Sequence, residues 1–265
     1  MKRSMSCVAL ILFLRVALAY AFAGFFPRFV ELGSLFASLL PLLVLITPFG
    51  KGCTQSTEIG FSPKSTFSFL PLFPFFLAGV LIISVITSSI SAAVGYEIVE
   101  VNPSGNIFSA LIFDALVPSV CEELLCRYVL LRLLSPFGRG GSALLSAILF
   151  SLLHANLYQM PYAFFAGLML ATLTLASKSA FIPILFHLLN NLTSIALFYL
   201  PDSAVLYFFA ATILLLPISF FVALKKGSLK SCTEVLSDGS AYPMLKASLS
   251  SPLIFFALLM LLLTV

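Results

Sequence analysis

Apolar residues run along this chain in long blocks separated by short polar gaps. A helix crosses the hydrocarbon core with about 20 apolar residues. Nine such segments are predicted: 7–25, 33–49, 67–93, 107–131, 142–157, 160–177, 180–200, 203–224 and 249–265. Gly and Pro punctuate the gaps, as in Pro48-Phe49-Gly50, Asn102-Pro103-Ser104-Gly105 and Pro136-Phe137-Gly138-Arg139-Gly140-Gly141. The fifth segment is short and rests on its pattern and neighbours. The expected fold is all-α, a polytopic transmembrane helix bundle of about eight or nine spans. The expected organisation is N-terminal transmembrane helices over 1–106, a core over 107–200, and C-terminal helices over 201–265. The Ser- and Lys-rich stretch 225–248 reads as a cytoplasmic linker.

Composition sharpens this picture. Of the 265 residues 61% are hydrophobic, and charged residues make up 9%, where a soluble domain carries about 25%. A soluble enzyme, a disordered chain and a disulfide-stapled domain are excluded. Fourteen Lys and Arg are too few for a phosphate-tracking surface, so no nucleic-acid partner is expected. The partner to expect is the lipid bilayer. Alternating the spans from a cytoplasmic N-terminus puts Lys2, Arg3, Lys51, Lys64, Arg132, Arg139, Lys178, Lys225, Lys226, Lys230 and Lys246 inside and only Arg28 outside. Arg15 and Arg127 fall within spans. That bias follows the positive-inside rule. The acids Glu31, Glu97, Glu100 and Asp202 fall outside. Lys2 and Arg3 before an apolar run also resemble a signal peptide, but Arg15 interrupts that run, and a retained first span is the favoured reading. No internal repeat supports an inverted-repeat transporter.

Cysteine changes little. Cys7, Cys53, Cys121, Cys126 and Cys232 are odd in number and share no CxxC spacing. They read as small apolar residues.

Ionisable groups within spans are costly and are functional candidates by default. Here they are Arg15, Asp114, Glu122, Glu123, Arg127, His154 and His187. Glu123 and Arg127 stand at i and i+4 and can pair on one helix face. Glu122 points about 100° away and has no such local partner, which suits a general base for water. A purely structural ion-pair cluster is the competing reading. Phe150 and His154 again stand four apart, and so do His187 and Asn191. The bland readings are a hydrogen-bonded core histidine and polar glue between helices, with Asn190 and Thr193. The sequence assigns no role to Asp114 or Arg15. HExxH is absent.

The ordered set Glu122-Glu123-Leu-Leu-Cys-Arg127, Phe150-Ser-Leu-Leu-His154 and His187-Leu-Leu-Asn190-Asn191 resembles the three motifs EExxxR, FxxxH and HxxxN of the CPBP family. These are the Abi or type II CAAX prenyl endopeptidase intramembrane proteases. Asn156, Phe164-Phe165-Ala166-Gly167 and Pro183 also fit, and the resemblance covers roughly 107–200. Cys126 stands where the family often has an aromatic. The resemblance implies an intramembrane endopeptidase cleaving a membrane-associated protein or peptide, with Glu122 and His154 activating water. His187 and Asn191 would bind the oxyanion, and Glu123 and Arg127 would support them. The family has been described both as glutamate-dependent and as metalloproteases. Glu122, His154 and His187 would be the ligands if a zinc ion is present, but the favoured reading requires no cofactor. Cys126 as nucleophile is disfavoured, being four residues after Glu122. The alternative functions are a non-catalytic bacteriocin self-immunity or partner-binding membrane protein of the same fold, and a proton-coupled transporter. The expected location is a bacterial plasma membrane.

Overall fold

The computed structural model describes residues 2–26, 30–47, 59–62, 67–96, 103, 105–238 and 241–264. Arg28, Lys51, Cys53, Lys64, Glu97 and Glu100, which entered the topology and cysteine readings, lie outside them. Among the described residues there is no β-strand, only an isolated bridge between Gly60 and Ser179. The expected all-α helical bundle is present.

Among the described residues, eleven helices carry the fold. They are α1 (Lys2–Phe25), α2 (Val30–Leu39), α3 (Phe73–Ala93), α4 (107–134), α5 (Gly138–Leu152), α6 (Met160–Ser177), α7 (Phe181–Tyr199), α8 (Asp202–Lys226), α9 (Ser228–Leu236), α10 (Ala241–Leu249) and α11 (Leu253–Leu262). Among the described residues, five stretches are long and apolar enough to cross a membrane: Arg3–Phe25, Phe67–Ala93, Met160–Ser177, Phe181–Tyr199 and Asp202–Lys226.

Helix α4 is continuous but irregular. It contains two π-helical turns, Leu111–Leu116 and Leu124–Leu130, on either side of an α-helical Val117–Glu123. At 1.5 Å per residue it would be about 40 Å long, ample for a crossing. Its N-terminus is capped by Asn106, whose Oδ1 accepts hydrogen bonds from the Phe108 and Ser109 amides at 3.0 Å, the usual role of Asn there.

Two predicted segments take different forms. The stretch 225–248 is not a linker: it forms the end of α8, then α9 and most of α10. Gly227, with φ of 72°, makes the turn between α8 and α9; a left-handed residue costs glycine little. The predicted span 249–265 contains only the ten-residue α11. That is about 15 Å of helix, half the hydrocarbon thickness.

The core is apolar and threaded by α4. Met5, Val8, Ile11 and Leu12 of α1 pack with Leu125, Leu130, Leu133 and Leu134 of α4 and with α5, α10 and α11. Phe76 of α3, Leu170 of α6 and Phe186 of α7 form a second cluster. Helices α5 and α6 make the most extensive pairing in the bundle. Gly167 permits it: a Cβ there would sit 3.1 Å from the Ala147 Cα and 3.1 Å from the Phe150 ring.

The basic positions gather at one end. Arg132 donates to the Ile59 carbonyl at 2.6 Å. The Gly60 amide donates to the Lys178 carbonyl at 3.0 Å. Lys226 donates to the Phe67 carbonyl at 3.0 Å, and Arg139 pairs with Asp238 at 2.7 Å. Helix α1 runs antiparallel to α4, so Arg3 belongs to this end as well: Arg15 meets Glu122, and α1 also touches residues 131–134.

Candidate active site

Glu123 and Arg127 form the expected i, i+4 pair, and both side chains are fully buried. Arg127 Nε lies 2.9 Å from Glu123 Oε2, but its N–H is not aligned for a hydrogen bond, so the attraction there is Coulombic. Arg127 Nη1 donates to Ser146 Oγ at 3.1 Å. The other oxygen, Glu123 Oε1, lies 2.9 Å from His187 Nδ1. Glu123 thus joins α4 to α7, a connection beyond the local support expected of it. Phe150 is packed among these groups. Its ring meets His154 edge-on at 4.9 Å and His187 at 5.9 Å, and the Arg127 guanidinium lies 4.7 Å from its centroid. Such a cation over an aromatic face is attracted by the ring quadrupole.

His154 does not continue the helix, although the four-residue spacing from Phe150 places it on one. Helix α5 ends at Leu152, and Ala155 turns the chain at φ of 47°. Asn156 then accepts hydrogen bonds from the Tyr158 and Gln159 amides at 2.9 and 3.2 Å and starts α6. The histidine stays near Phe150 because its Nδ1 lies 2.9 Å from the Phe150 carbonyl oxygen. A carbonyl only accepts, so Nδ1 carries the proton and Nε2 is left with a lone pair.

The Glu122 carboxylate meets a partner from another helix: Arg15 Nη2 of α1 lies 3.5 Å from Glu122 Oε1. Asn191 Nδ2 lies 3.5 Å from Ser119 Oγ, and its Oδ1 accepts from Asn190 at 3.4 Å.

Glu122, His154, His187 and Asn191 all line one cavity of about 220 Å³, together with Phe150 and Tyr162. A wider vestibule of about 460 Å³ adjoins it, lined by Pro103, Phe113, Asp114 and Phe198. Glu122, Gln159, Asn191 and Ser194 border both. Cys126 is fully buried in the apolar core and lines neither space. Among the described residues no three His, Cys, Asp or Glu side chains are grouped to hold a metal ion.

Sequence reasoning missed Ser119, Ser146 and Gln159, and named Arg15 as a charge within a span without assigning it a partner. Ser146 stands four residues before Phe150 on α5, a spacing that could have drawn attention to it. Arg15 carried only the general signal that a charge in a span needs a partner.

Comparison with family models matches residues 104–193 to the type II CAAX prenyl endopeptidase Rce1-like family. No curated protein and no solved structure matches the chain. The matched stretch contains all three motifs and every residue named above as lining the small cavity except Ser194. The chain is an integral membrane protein, and its residues 104–193 match a protease family, the type II CAAX prenyl endopeptidase Rce1-like family.

Proposed function

We propose that the protein is an intramembrane endopeptidase in which Glu122 and His154 activate water for attack on a peptide carbonyl. The observation that carries this is the convergence of Glu122, His154, His187 and Asn191 on one cavity from α4, the α5–α6 turn and α7. The free lone pair on His154 Nε2 suits it to take the proton of a water held between it and Glu122. Proton transfer by a positioned side chain contributes typically 10²–10⁴-fold. Arg15 holds one Glu122 oxygen and leaves the other to the water.

The developing oxyanion is received by His187 and Asn191. His187 gives its Nδ1 proton to Glu123, so a donor directed into the cavity requires the imidazolium, whose Nε2 is also protonated. Glu123 is placed to support that cation, and Arg127 in turn balances Glu123. Loss of one oxyanion donor costs about 10²–10³ in rate. Tetrahedral collapse returns the proton from His154 to the leaving amine, and no acyl-enzyme forms.

The test is reconstitution of wild type, Glu122→Gln and His154→Ala with a fluorogenic peptide library. Wild type is expected to cleave, and both variants to lose at least 100-fold. Cleavage by Glu122→Gln at the wild-type rate would overturn the mechanism. Repeating the assay after chelation and metal add-back asks whether a zinc ion on Glu122, His154 and His187 takes part.

A further inference from the structure

The site has an open end and a closed end, and charge marks which is which. Towards the end where the basic residues gather, Leu131, Ala143, Ala171 and Ala180 are fully buried beside Ile59. The bridge from Gly60 to Ser179 lies beside this plug. Arg132, Arg139, Lys178, Lys225, Lys226 and Lys230 belong to the same end. The vestibule lies at the other end. Pro103 precedes α4 and Phe113 lies near its start, Gln159 immediately precedes α6, and Phe198 is at the end of α7. All three elements reach Glu122 or Asn191 from that side. Lys and Arg concentrate in cytoplasmic loops, and among the described residues Arg3, Arg132, Arg139, Lys178, Lys225, Lys226 and Lys230 all belong to the plugged end.

We propose that the vestibule opens on the non-cytoplasmic face of the membrane and that the substrate is a peptide segment exposed there. The substrate class is thus an exported peptide, or an outward-facing segment of a membrane protein, and not a tail held in the cytoplasm. The cleavage step rests on the function proposed above; the orientation does not.

Single-cysteine variants test it in a chain whose native cysteines are replaced by Ala. Ser194→Cys reports the vestibule and Ser237→Cys the basic end, since both serines are exposed. A membrane-impermeant maleimide is applied to spheroplasts of a bacterial expression host and to sealed inside-out vesicles. Ser194→Cys is expected to label at least ten times faster in spheroplasts, and Ser237→Cys at least ten times faster in inside-out vesicles. The reverse pattern overturns the proposal. If the cysteine-free chain does not fold, wild type supplies the measurement: the fluorogenic peptide found by library screening should be cleaved by spheroplasts and not by sealed inside-out vesicles. Cleavage confined to inside-out vesicles overturns the orientation and leaves the protease function standing. External labelling of Ser194→Cys with no peptide cleaved from either side upholds the orientation and counts against proteolysis.

Discussion

Arg127→Met would remove the cation from an ion pair that no water reaches. The 2.9 Å separation corresponds to a Coulomb attraction of about 6 kcal/mol at an effective dielectric of 20. Desolvation offsets much of that in the intact pair, but not when one partner is deleted. Breaking a buried pair costs about 3–5 kcal/mol, because the remaining charge is left uncompensated. The hydrogen bond to Ser146 and the contact with Phe150 are lost with it, so the upper half of that range is expected. The double variant Glu123→Gln/Arg127→Met leaves no charge behind, and the new amide oxygen can still accept from His187. It should lie within about 2 kcal/mol of wild type, as neutral replacement of buried pairs often does. The chain has no Trp, but Cys7, Cys121 and Cys126 are buried. Unfolding in detergent can therefore be followed by a thiol-reactive fluorophore. If the single variant is as stable as wild type, or the double is as unstable as the single, uncompensated charge is not what the pair prevents.

Three further outcomes can be checked. Arg15→Gln should lower kcat about tenfold with little change in KM, because Arg15 orients Glu122 and lines neither cavity; Arg15→Lys should recover part of the loss, and a change confined to KM would refute that role. Gly167→Ala should destabilise by about 1–3 kcal/mol, the usual range for overpacking, since its Cβ would press on the Ala147 backbone; an unchanged melting temperature in detergent would show that α5 and α6 separate freely. The Arg139 guanidinium holds the Asp238 carboxyl below its ordinary range, so this contact stabilises the fold above the ordinary Asp value of about 3.9 and is lost as pH falls through the lowered folded value. Amide exchange over 228–238 should accelerate at that point in wild type; an identical acid onset in Arg139→Ala would exclude Asp238 as the cause.

What the sequence disclosed depended on how local each interaction is. The Glu123–Arg127 pair follows from helical spacing alone, whereas the nearness of Phe150 to His154, which spacing also predicts, is kept by a hydrogen bond beyond the helix end. The Arg15–Glu122 contact spans 107 positions, and no spacing rule reaches that far. The break after Leu152 is equally silent. Neither Gly nor Pro marks it, and Ala155 adopts its left-handed conformation without a signature residue. The second role of Glu123, holding His187, needed the register of α7 against α4. In 225–248 low hydropathy hid the helical state of α9 and α10, since polar composition does not separate a surface helix from a loop. Apolar length alone located the long spans.

The π turns of α4 bear on how such chains are compared. A π turn holds more residues than the α turn it replaces, so α4 could lose one residue within 124–130 and remain an unbroken helix. Everything beyond would rotate, and the Arg127 guanidinium would leave Ser146 and Phe150. Conversely, a chain with the same three-residue gap between its second glutamate and its arginine, on a regular α-helix, aims that arginine differently. Motif spacing along this helix measures sequence distance, and side-chain direction is set separately by where the wide turns fall.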